Sequence, residues 1–171
     1  MAVAFADSSI VVLALPDLYG EFHTSIEGVS WVITSYNLAV CVAAFALVPF
    51  TRHLHVREVT RAGLVLFTAS SIGCAAAWTL PALIVFRCVQ GLGGALLLAG
   101  ALPMLGGLLG STTRGASVWT QTGTFGAALG PALGGILTQL ADWRAIFAVQ
   151  APLAAAALVA TFDHRIHGLP R

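Results

Sequence analysis

Lysine is absent from this chain, and charged residues of any kind are scarce. Only 9% of the 171 residues are charged, whereas a soluble domain carries roughly 25%. The formal net charge is +1, and this near-neutral balance argues against a nucleic-acid partner. The three cysteines, Cys41, Cys74 and Cys88, all fall in apolar stretches. They therefore predict packing residues rather than a disulfide framework or a metal site.

Apolar residues make up most of what is present. Hydrophobic residues account for 58% of the sequence, and the mean hydropathy is +0.90. A soluble fold has too little polar surface to cover so much apolar material. The composition therefore predicts an all-α integral membrane protein, which we place in the cell membrane.

Six stretches have about the 20 mostly apolar residues that cross a bilayer as a helix. They lie at residues 2–19, 30–50, 61–80, 82–108, 117–140 and 144–162. No extended polar linker separates any of them from the next. Residues 1–171 are therefore predicted to form a single transmembrane domain, a six-helix bundle.

The arginines predict how this bundle is oriented. If the N-terminus is cytoplasmic, six arginines fall on the cytoplasmic side: Arg52, Arg57, Arg61, Arg114, Arg165 and Arg171. The opposite side then holds only Arg144. Cytoplasmic loops of membrane proteins carry an excess of basic residues, so both termini are predicted to be cytoplasmic.

A glycine pattern marks the fifth span. Gly126, Gly130 and Gly134 recur every fourth residue, so on a helix they form a groove without side chains. Such a groove lets a second helix approach closely, and close packing drives helix association in membranes. Pro131 breaks one backbone hydrogen bond, a defect that membrane helices tolerate. Together with Gly135, these residues predict a helix-packing motif.

Arg87 lies inside the fourth span, where an arginine costs at least ~2.5–3.5 kcal/mol on insertion scales. Arginines at such positions face the bundle interior or a water-filled cavity. Gln90 follows three residues later and shares the same helix face. In the alternative interpretation, Arg87 extends to the outer interface, because it lies only about two turns from the start of its helix.

Asp7 is the second charge in an apolar span. Apolar surroundings favour the protonated form of a carboxyl group, and a neighbouring arginine favours the ionised form. A carboxyl that alternates between these environments couples proton binding to helix movement. If the first and fourth helices are neighbours, Asp7 and Arg87 are predicted to share a cavity. In the alternative interpretation, Asp7 lies among the cytoplasmic lipid headgroups.

Further polar residues are predicted to line the same cavity, or else to form modest interhelical hydrogen bonds. They are Tyr36 and Asn37 in the second span, Gln121 and Thr124 in the fifth and Gln150 in the sixth. The sequence contains no recognisable nucleophile–base pair or metal-ligand cluster. We therefore expect no enzymatic activity, no cofactor and no metal.

Several motifs resemble those of drug:proton antiporters of the major facilitator superfamily, in the same order along the chain. Residues 7–16 resemble the motif of the first helix, and residues 31–38 the start of the second. The fourth helix has the R-x-x-Q-G-x-G pattern at 87–93, the fifth the G-x-x-x-G-P-x-x-G-G pattern at 126–135, and the sixth the W-R-x-x-F pattern at 143–147. The resemblance is closest to the fourteen-helix multidrug branch. It implies the fold of the N-terminal half of such a transporter.

The resemblance also implies a function, proton-coupled export of small hydrophobic compounds or drugs. The expected partners are the lipid bilayer, protons, a small-molecule substrate, and a C-terminal half or a second copy that completes the pathway, because alternating access needs two bundles. The loop at 48–57 lacks the glycines and the aspartate of the family pattern. The alternative is a non-transporting membrane scaffold or interaction protein derived from a transporter.

Overall fold

A computed structural model of the chain describes residues 2–47 and 55–162. This part is all-helical and contains no strand. Its helices are α1 (Ala2–Val12), α2 (Leu15–Phe22), α3 (Ile26–Leu47), α4 (Val56–Ala75), α5 (Leu80–Leu108), α6 (Thr112–Leu140) and α7 (Arg144–Ala160). The predicted all-α class is therefore confirmed. Arg52, Arg165 and Arg171 lie outside the described residues, as does most of the 48–57 loop pattern.

The first predicted helix, 2–19, is in fact two helices. α1 ends at Val12, and α2 restarts at Leu15 with Pro16 in its first turn. In a continuous helix the ring of Pro16 would collide with the carbonyl group of Val12, so the chain turns between the two. α1 and α2 together still form one apolar segment of 21 residues. With this segment counted as one bent helix, the described residues contain six helices, as predicted.

Other helix ends also differ from the predicted positions, and local capping explains two of them. α6 begins at Thr112 rather than at 117 because the Ser111 side chain accepts a hydrogen bond from the Arg114 amide at 3.3 Å. Ser is a favoured residue at this capping position. α4 ends at Ala75 rather than at 80 because Thr79 already caps the start of α5.

Within residues 2–47 and 55–162, three helical segments are long and apolar enough to cross a membrane, namely Ala2–Phe22, Ile26–Leu47 and Leu80–Leu108. A fourth membrane-spanning segment is obtained if α6 and α7 are counted together as one span, although the chain bends by 119° between them. This is fewer than the six predicted spans. Charged residues in α4, and glycine and threonine in α6, lower the hydropathy of those helices, and α7 has only 17 residues.

The interior consists of two apolar clusters with polar residues between them. One cluster includes Ile10, Val32, Leu83 and Phe147. The other includes Ala4, Tyr36, Phe67, Leu97 and Ala154. On α1, α4, α5 and α7, a buried polar side chain lies in sequence between members of the two clusters. The bundle therefore has a polar layer across its middle.

α6 packs closely against α1 along the predicted glycine groove. A side chain added at Gly126 would place its Cβ 2.7 Å from the carbonyl oxygen of Ala2, and one at Gly130 would be 3.0 Å from that of Ala6. Real Cβ atoms essentially never come as close as the first distance, and the second is tighter than nine in ten real Cβ contacts. The missing side chains therefore set the distance between α1 and α6, which determines where α1 holds Asp7.

Candidate functional site

Asp7 on α1 and Arg87 on α5 form a buried ion pair. The Arg87 Nη1 group donates a hydrogen bond to the Asp7 carboxylate, and neither side chain has any exposed surface. The two residues are 80 positions apart in sequence. The Arg87 side chain therefore points into the bundle and not towards its outer end. Asp7 is likewise enclosed by helices on the side of α1 that faces α5.

The surroundings of Arg87 hold its guanidinium group in place. Its Nε group donates to the carbonyl oxygen of Val32 at 2.9 Å, and its Nη1 group also donates to Gln90 Oε1 at 2.7 Å. The guanidinium carbon lies 4.3 Å from the centre of the Tyr36 ring, a cation–π distance. The Tyr36 hydroxyl in turn donates to the carbonyl oxygen of Ala4 at 3.0 Å. Tyr36 therefore contacts both Arg87 and the helix that carries Asp7.

Gln90 extends this network to α4 and α7. Its Nε2 group donates to Ser71 Oγ at 2.9 Å and to Gln150 Oε1 at 3.0 Å. The Cys74 thiol lies 3.7 Å from Gln90 Oε1 and donates a weak hydrogen bond to it. Ser71, Cys74, Gln90 and Gln150 are all buried. Five helices, α1, α3, α4, α5 and α7, thus meet at one connected set of polar groups.

This network leaves some of its hydrogen-bonding capacity unused. Asp7 Oδ1, Arg87 Nη2 and Gln150 Nε2 are buried and have no hydrogen-bond partner among the described residues. Buried polar atoms are usually paired, so unpaired ones call for an explanation. Spare donors and a spare carboxylate oxygen leave these groups able to form further hydrogen bonds.

The other predicted cavity residues, Asn37, Gln121 and Thr124, lie outside this network. Thr124 is exposed, and its hydroxyl donates to the carbonyl oxygen of Thr120 on its own helix at 3.0 Å. Asn37 is exposed; its Oδ1 accepts from Ser8 Oγ at 2.8 Å, which links α3 to α1 beside Asp7. Gln121 is exposed, and its side-chain amide contacts Ser117 on its own helix at 3.4 Å. Sequence spacing did not separate these residues from Tyr36, because it does not specify how each helix is rotated about its axis.

Gln121 lies instead in an open groove of about 420 Å³ between α1 and α6. The groove wall is almost entirely apolar, with Gln121 and Thr122 as its polar members. Its lining is Ala2, Val3, Ala6, Val118, Gln121, Thr122, Phe125, Gly126, Leu129 and Leu133. Pockets for small molecules typically have this size and a mostly apolar wall with a few polar groups. α1 therefore faces the groove on one side and presents Asp7 to the interior on the other.

A polar cluster that sequence reasoning missed joins the ends of α2, α4 and α7. Arg144 Nη2 donates to Glu21 Oε1 at 2.7 Å and to the carbonyl oxygen of Ala77 at 3.1 Å. Trp143 Nε1 donates to Glu21 Oε2 at 2.6 Å. Arg144 stood out as the single basic residue on its predicted side of the membrane. Its partners Ala77 and Glu21 lie 67 and 123 positions away in the sequence. No sequence pattern linked them to Arg144.

A second cluster lies at the opposite ends of α4 and α7. Arg61 Nη2 donates to the carbonyl oxygen of Thr161 at 2.8 Å, and its guanidinium lies 4.2 Å from the centre of the Phe162 ring. α4 and α7 are therefore joined at both ends. The links α2–α3, α4–α5 and α6–α7 lie on one side of the bundle, and the α5–α6 link lies on the other.

The sequence matches known proteins along nearly its whole length. The family model described as Major Facilitator Superfamily matches residues 1–168. The chain belongs to the Major Facilitator Superfamily. The expected family is therefore confirmed. This is a family of membrane transporters, and the apolar helices of the chain agree with a multi-pass membrane protein.

Relatives of known name within the Major Facilitator Superfamily include drug efflux proteins. The chain is 32% identical over 160 residues to the multidrug resistance protein Stp of Mycobacterium tuberculosis (strain CDC 1551 / Oshkosh), a match that covers 92% of this chain and 30% of the relative. It is 33% identical over 156 residues to the drug efflux pump JefA of Mycobacterium tuberculosis (strain ATCC 25618 / H37Rv), covering 90% and 31%.

A third relative comes from another bacterium. The methylenomycin A resistance protein of Bacillus subtilis (strain 168) is 31% identical over 163 residues, covering 94% of this chain and 35% of the relative. The chain thus spans about a third of the length of the curated relatives that it matches. The activity of those whole proteins carries over to this chain only as a proposal.

Proposed function

We propose that this chain is the N-terminal bundle of a proton-coupled exporter of small hydrophobic compounds or drugs, of the fourteen-helix type. The second bundle would be supplied by further polypeptide or by a second copy of the chain. The observation that carries the proposal is the buried contact between the Asp7 carboxylate and the Arg87 guanidinium. A buried ion pair adds little stability over an apolar pair of similar size, so its presence favours a functional role.

Proton binding at Asp7 would act through Arg87. When the carboxylate is ionised, the guanidinium neutralises it. When Asp7 takes up a proton, Arg87 keeps its contacts with Val32 and Gln90 but loses its attraction to α1. A small displacement of α1 relative to α5 then changes the proton affinity in the same step, because a nearby cation favours the ionised carboxyl.

Substrate binding would act on the same helix. Ala2, Val3 and Ala6 of α1 form part of the apolar groove, and Asp7 follows them directly. A hydrophobic compound in this groove would press on the helix that carries the carboxyl. Substrate occupancy and protonation are thereby linked through the position of α1, as transport in exchange for protons requires.

A chimeric transporter tests this proposal. In a related drug exporter such as JefA, the matching third would be replaced by this chain, and efflux of a fluorescent hydrophobic cation from cells would be followed across a range of external pH. We expect export that a protonophore abolishes. Asp7→Asn should insert normally but lose the pH dependence, whereas Asp17→Asn, which changes an exposed carboxyl of the same apolar segment, should behave as the unmodified chimera.

Two results would count against the proposal. A chimera that reaches the membrane but exports no more dye than empty cells would favour the scaffold alternative. An Asp7→Asn chimera with an unchanged pH response would show that this carboxyl takes no part in the proton pathway.

We further propose that both termini face the cytoplasm of the cell membrane. The support is the arginine asymmetry together with the Glu21–Arg144 and Arg61–Thr161 contacts at opposite ends of the bundle. With the native cysteines replaced by alanine, Ser25→Cys should react with a membrane-impermeant thiol reagent added to intact cells. Thr113→Cys should react only after the cells are opened. Equal labelling of both cysteines in intact cells would contradict this topology.

A further inference from the structure

Two residues on other helices, Ser71 and Gln150, accept the hydrogen bonds that the Gln90 side-chain amide donates. A glutamine amide has an oxygen that accepts hydrogen bonds and a nitrogen that donates two. Both N–H groups of Gln90 are used, one towards Ser71 Oγ at 2.9 Å and one towards Gln150 Oε1 at 3.0 Å. The oxygen consequently faces Arg87, at 2.7 Å from Nη1.

Ser71 can act only as an acceptor towards Gln90. Its single hydroxyl hydrogen is donated to the carbonyl oxygen of Phe67 on its own helix, at 2.7 Å. A reversed Gln90 amide would place its carbonyl oxygen where the nitrogen now lies, opposite both the lone pairs of Ser71 and Gln150 Oε1. It would also turn N–H groups towards the Arg87 cation. With Ser71 and Gln150 oriented as they are, the observed Gln90 amide forms a hydrogen bond with Ser71, with Gln150 and with Arg87, and the reversed amide would form none of these three.

We propose that Gln150 and Ser71 are positioning residues for the proton site: through Gln90 they fix where the Arg87 guanidinium lies relative to Asp7. The proposal rests on the proposed function, in which protonation of Asp7 matters. In the described structure neither residue forms a hydrogen bond with Asp7 or Arg87. Their effect passes through the Gln90 amide, which remains the side-chain acceptor for Arg87 when Asp7 is neutral.

Few other ionisable groups surround the pair. The centre of the Tyr36 ring on α3 lies 4.3 Å from the Arg87 guanidinium carbon, and the Cys74 thiol on α4 lies 3.7 Å from Gln90 Oε1. The charged residues of α6 and α7 lie in their first turns, at Arg114 and Arg144. A change in the proton affinity of Asp7 on altering Gln150 or Ser71 therefore reports on the guanidinium position.

The test measures protonation of Asp7 directly, in the full chain in lipid nanodiscs with ¹³C-labelled aspartate. The infrared band of the protonated carboxyl is followed across pH and assigned by its loss in Asp7→Asn. Gln150→Met removes one acceptor at similar side-chain size, and Ser71→Ala removes the other with a smaller change. Ser70→Ala is the matched control, because the buried Ser70 hydroxyl bonds only to carbonyl groups of its own helix in the described structure.

We expect the pH at which Asp7 is half-protonated to rise in both variants by about one unit, a tenfold gain in proton affinity. Once Gln90 can reverse, its N–H groups repel the guanidinium and weaken the support for the ionised carboxyl. Ser70→Ala should leave the midpoint unchanged.

An Asp7 titration in Ser71→Ala that coincides with that of the unmodified chain would overturn the proposal, whether or not Gln150→Met folds. So would a shift of equal size in Ser70→Ala. This measurement needs no transport, so an inactive chimera would contradict the proposed function while leaving the positioning role open to the titration.

Discussion

Replacing Asp7 with leucine is expected to lower the free energy of unfolding by roughly 3–5 kcal/mol, because it leaves a buried charge without its partner. Arg87 has no exposed surface, and its guanidinium cannot lose its proton in a protein. The contacts to Val32 and Gln90 satisfy part of its hydrogen-bonding capacity but none of its charge. Lowering the pH should therefore not restore the free energy of unfolding of this variant.

The reverse change should behave differently. In Arg87→Leu the group left without its partner is the Asp7 carboxyl, which becomes neutral when it binds a proton. We therefore expect a smaller loss of stability at low pH and a growing loss as the pH rises. Changing both residues to leucine should restore much of the stability that either single change removes, since an apolar pair can replace a buried ion pair.

Denaturant unfolding in detergent micelles, followed by the fluorescence of the buried Trp143, provides the measurement. A double-mutant cycle gives the interaction energy of the pair, and Asp17→Leu, at an exposed position, controls for the change of side chain. If Asp7→Leu unfolds like the unmodified chain, the pair is not holding α1 against α5. Equal and pH-independent losses in both single variants would contradict the proposed ability of Asp7 to take up a proton.

Replacing Gly130 with leucine should have the second large effect. The glycine is buried where α6 crosses α1, and an added Cβ would meet Ser9 and the carbonyl oxygen of Ala6. These are largely backbone and short side-chain atoms that cannot move aside easily. Overpacking of this kind typically costs roughly 1–3 kcal/mol and occasionally more. Gly130→Ala should fall between the unmodified chain and Gly130→Leu.

Gly20 offers a matched control on α2, because a Cβ at that position would meet nothing within 4 Å. We expect Gly20→Leu to accumulate in membranes and melt close to the unmodified chain, and Gly130→Leu to do neither. If the two leucine variants cannot be distinguished by yield and melting temperature, α1 and α6 are not held together at this groove.

The two predictions are linked through α1. On one side this helix lies against the glycines of α6, and on the other it holds Asp7 against Arg87. A bulkier residue at Gly130 would push α1 towards or along α5 and alter the ion pair. A Gly130→Ala protein that stays folded should therefore show a changed titration of Asp7 as well as a lower melting temperature.

Much about this protein followed from its sequence by itself. Scarce charge and long apolar stretches determined a helical membrane protein, because unpaired backbone groups are excluded from lipid. Asp7 and Arg87 stood out because a charge in an apolar span is costly wherever the helix finally lies. Gly126, Gly130 and Gly134 stood out by spacing alone. These are properties of single helices, so they can be identified in the sequence without knowing how the helices pack.

Only the tertiary structure decided which groups meet. The contact between Asp7 and Arg87, and the route from Gln90 to Gln150, depend on how each helix is rotated and how far it slides along its neighbour. All faces of a membrane helix can be apolar, so hydrophobic periodicity does not mark the buried side. Asn37 and Gln121 looked equivalent to Tyr36 for this reason, yet they lie outside the network. Packing between helices, which no single segment encodes, set the geometry of the site.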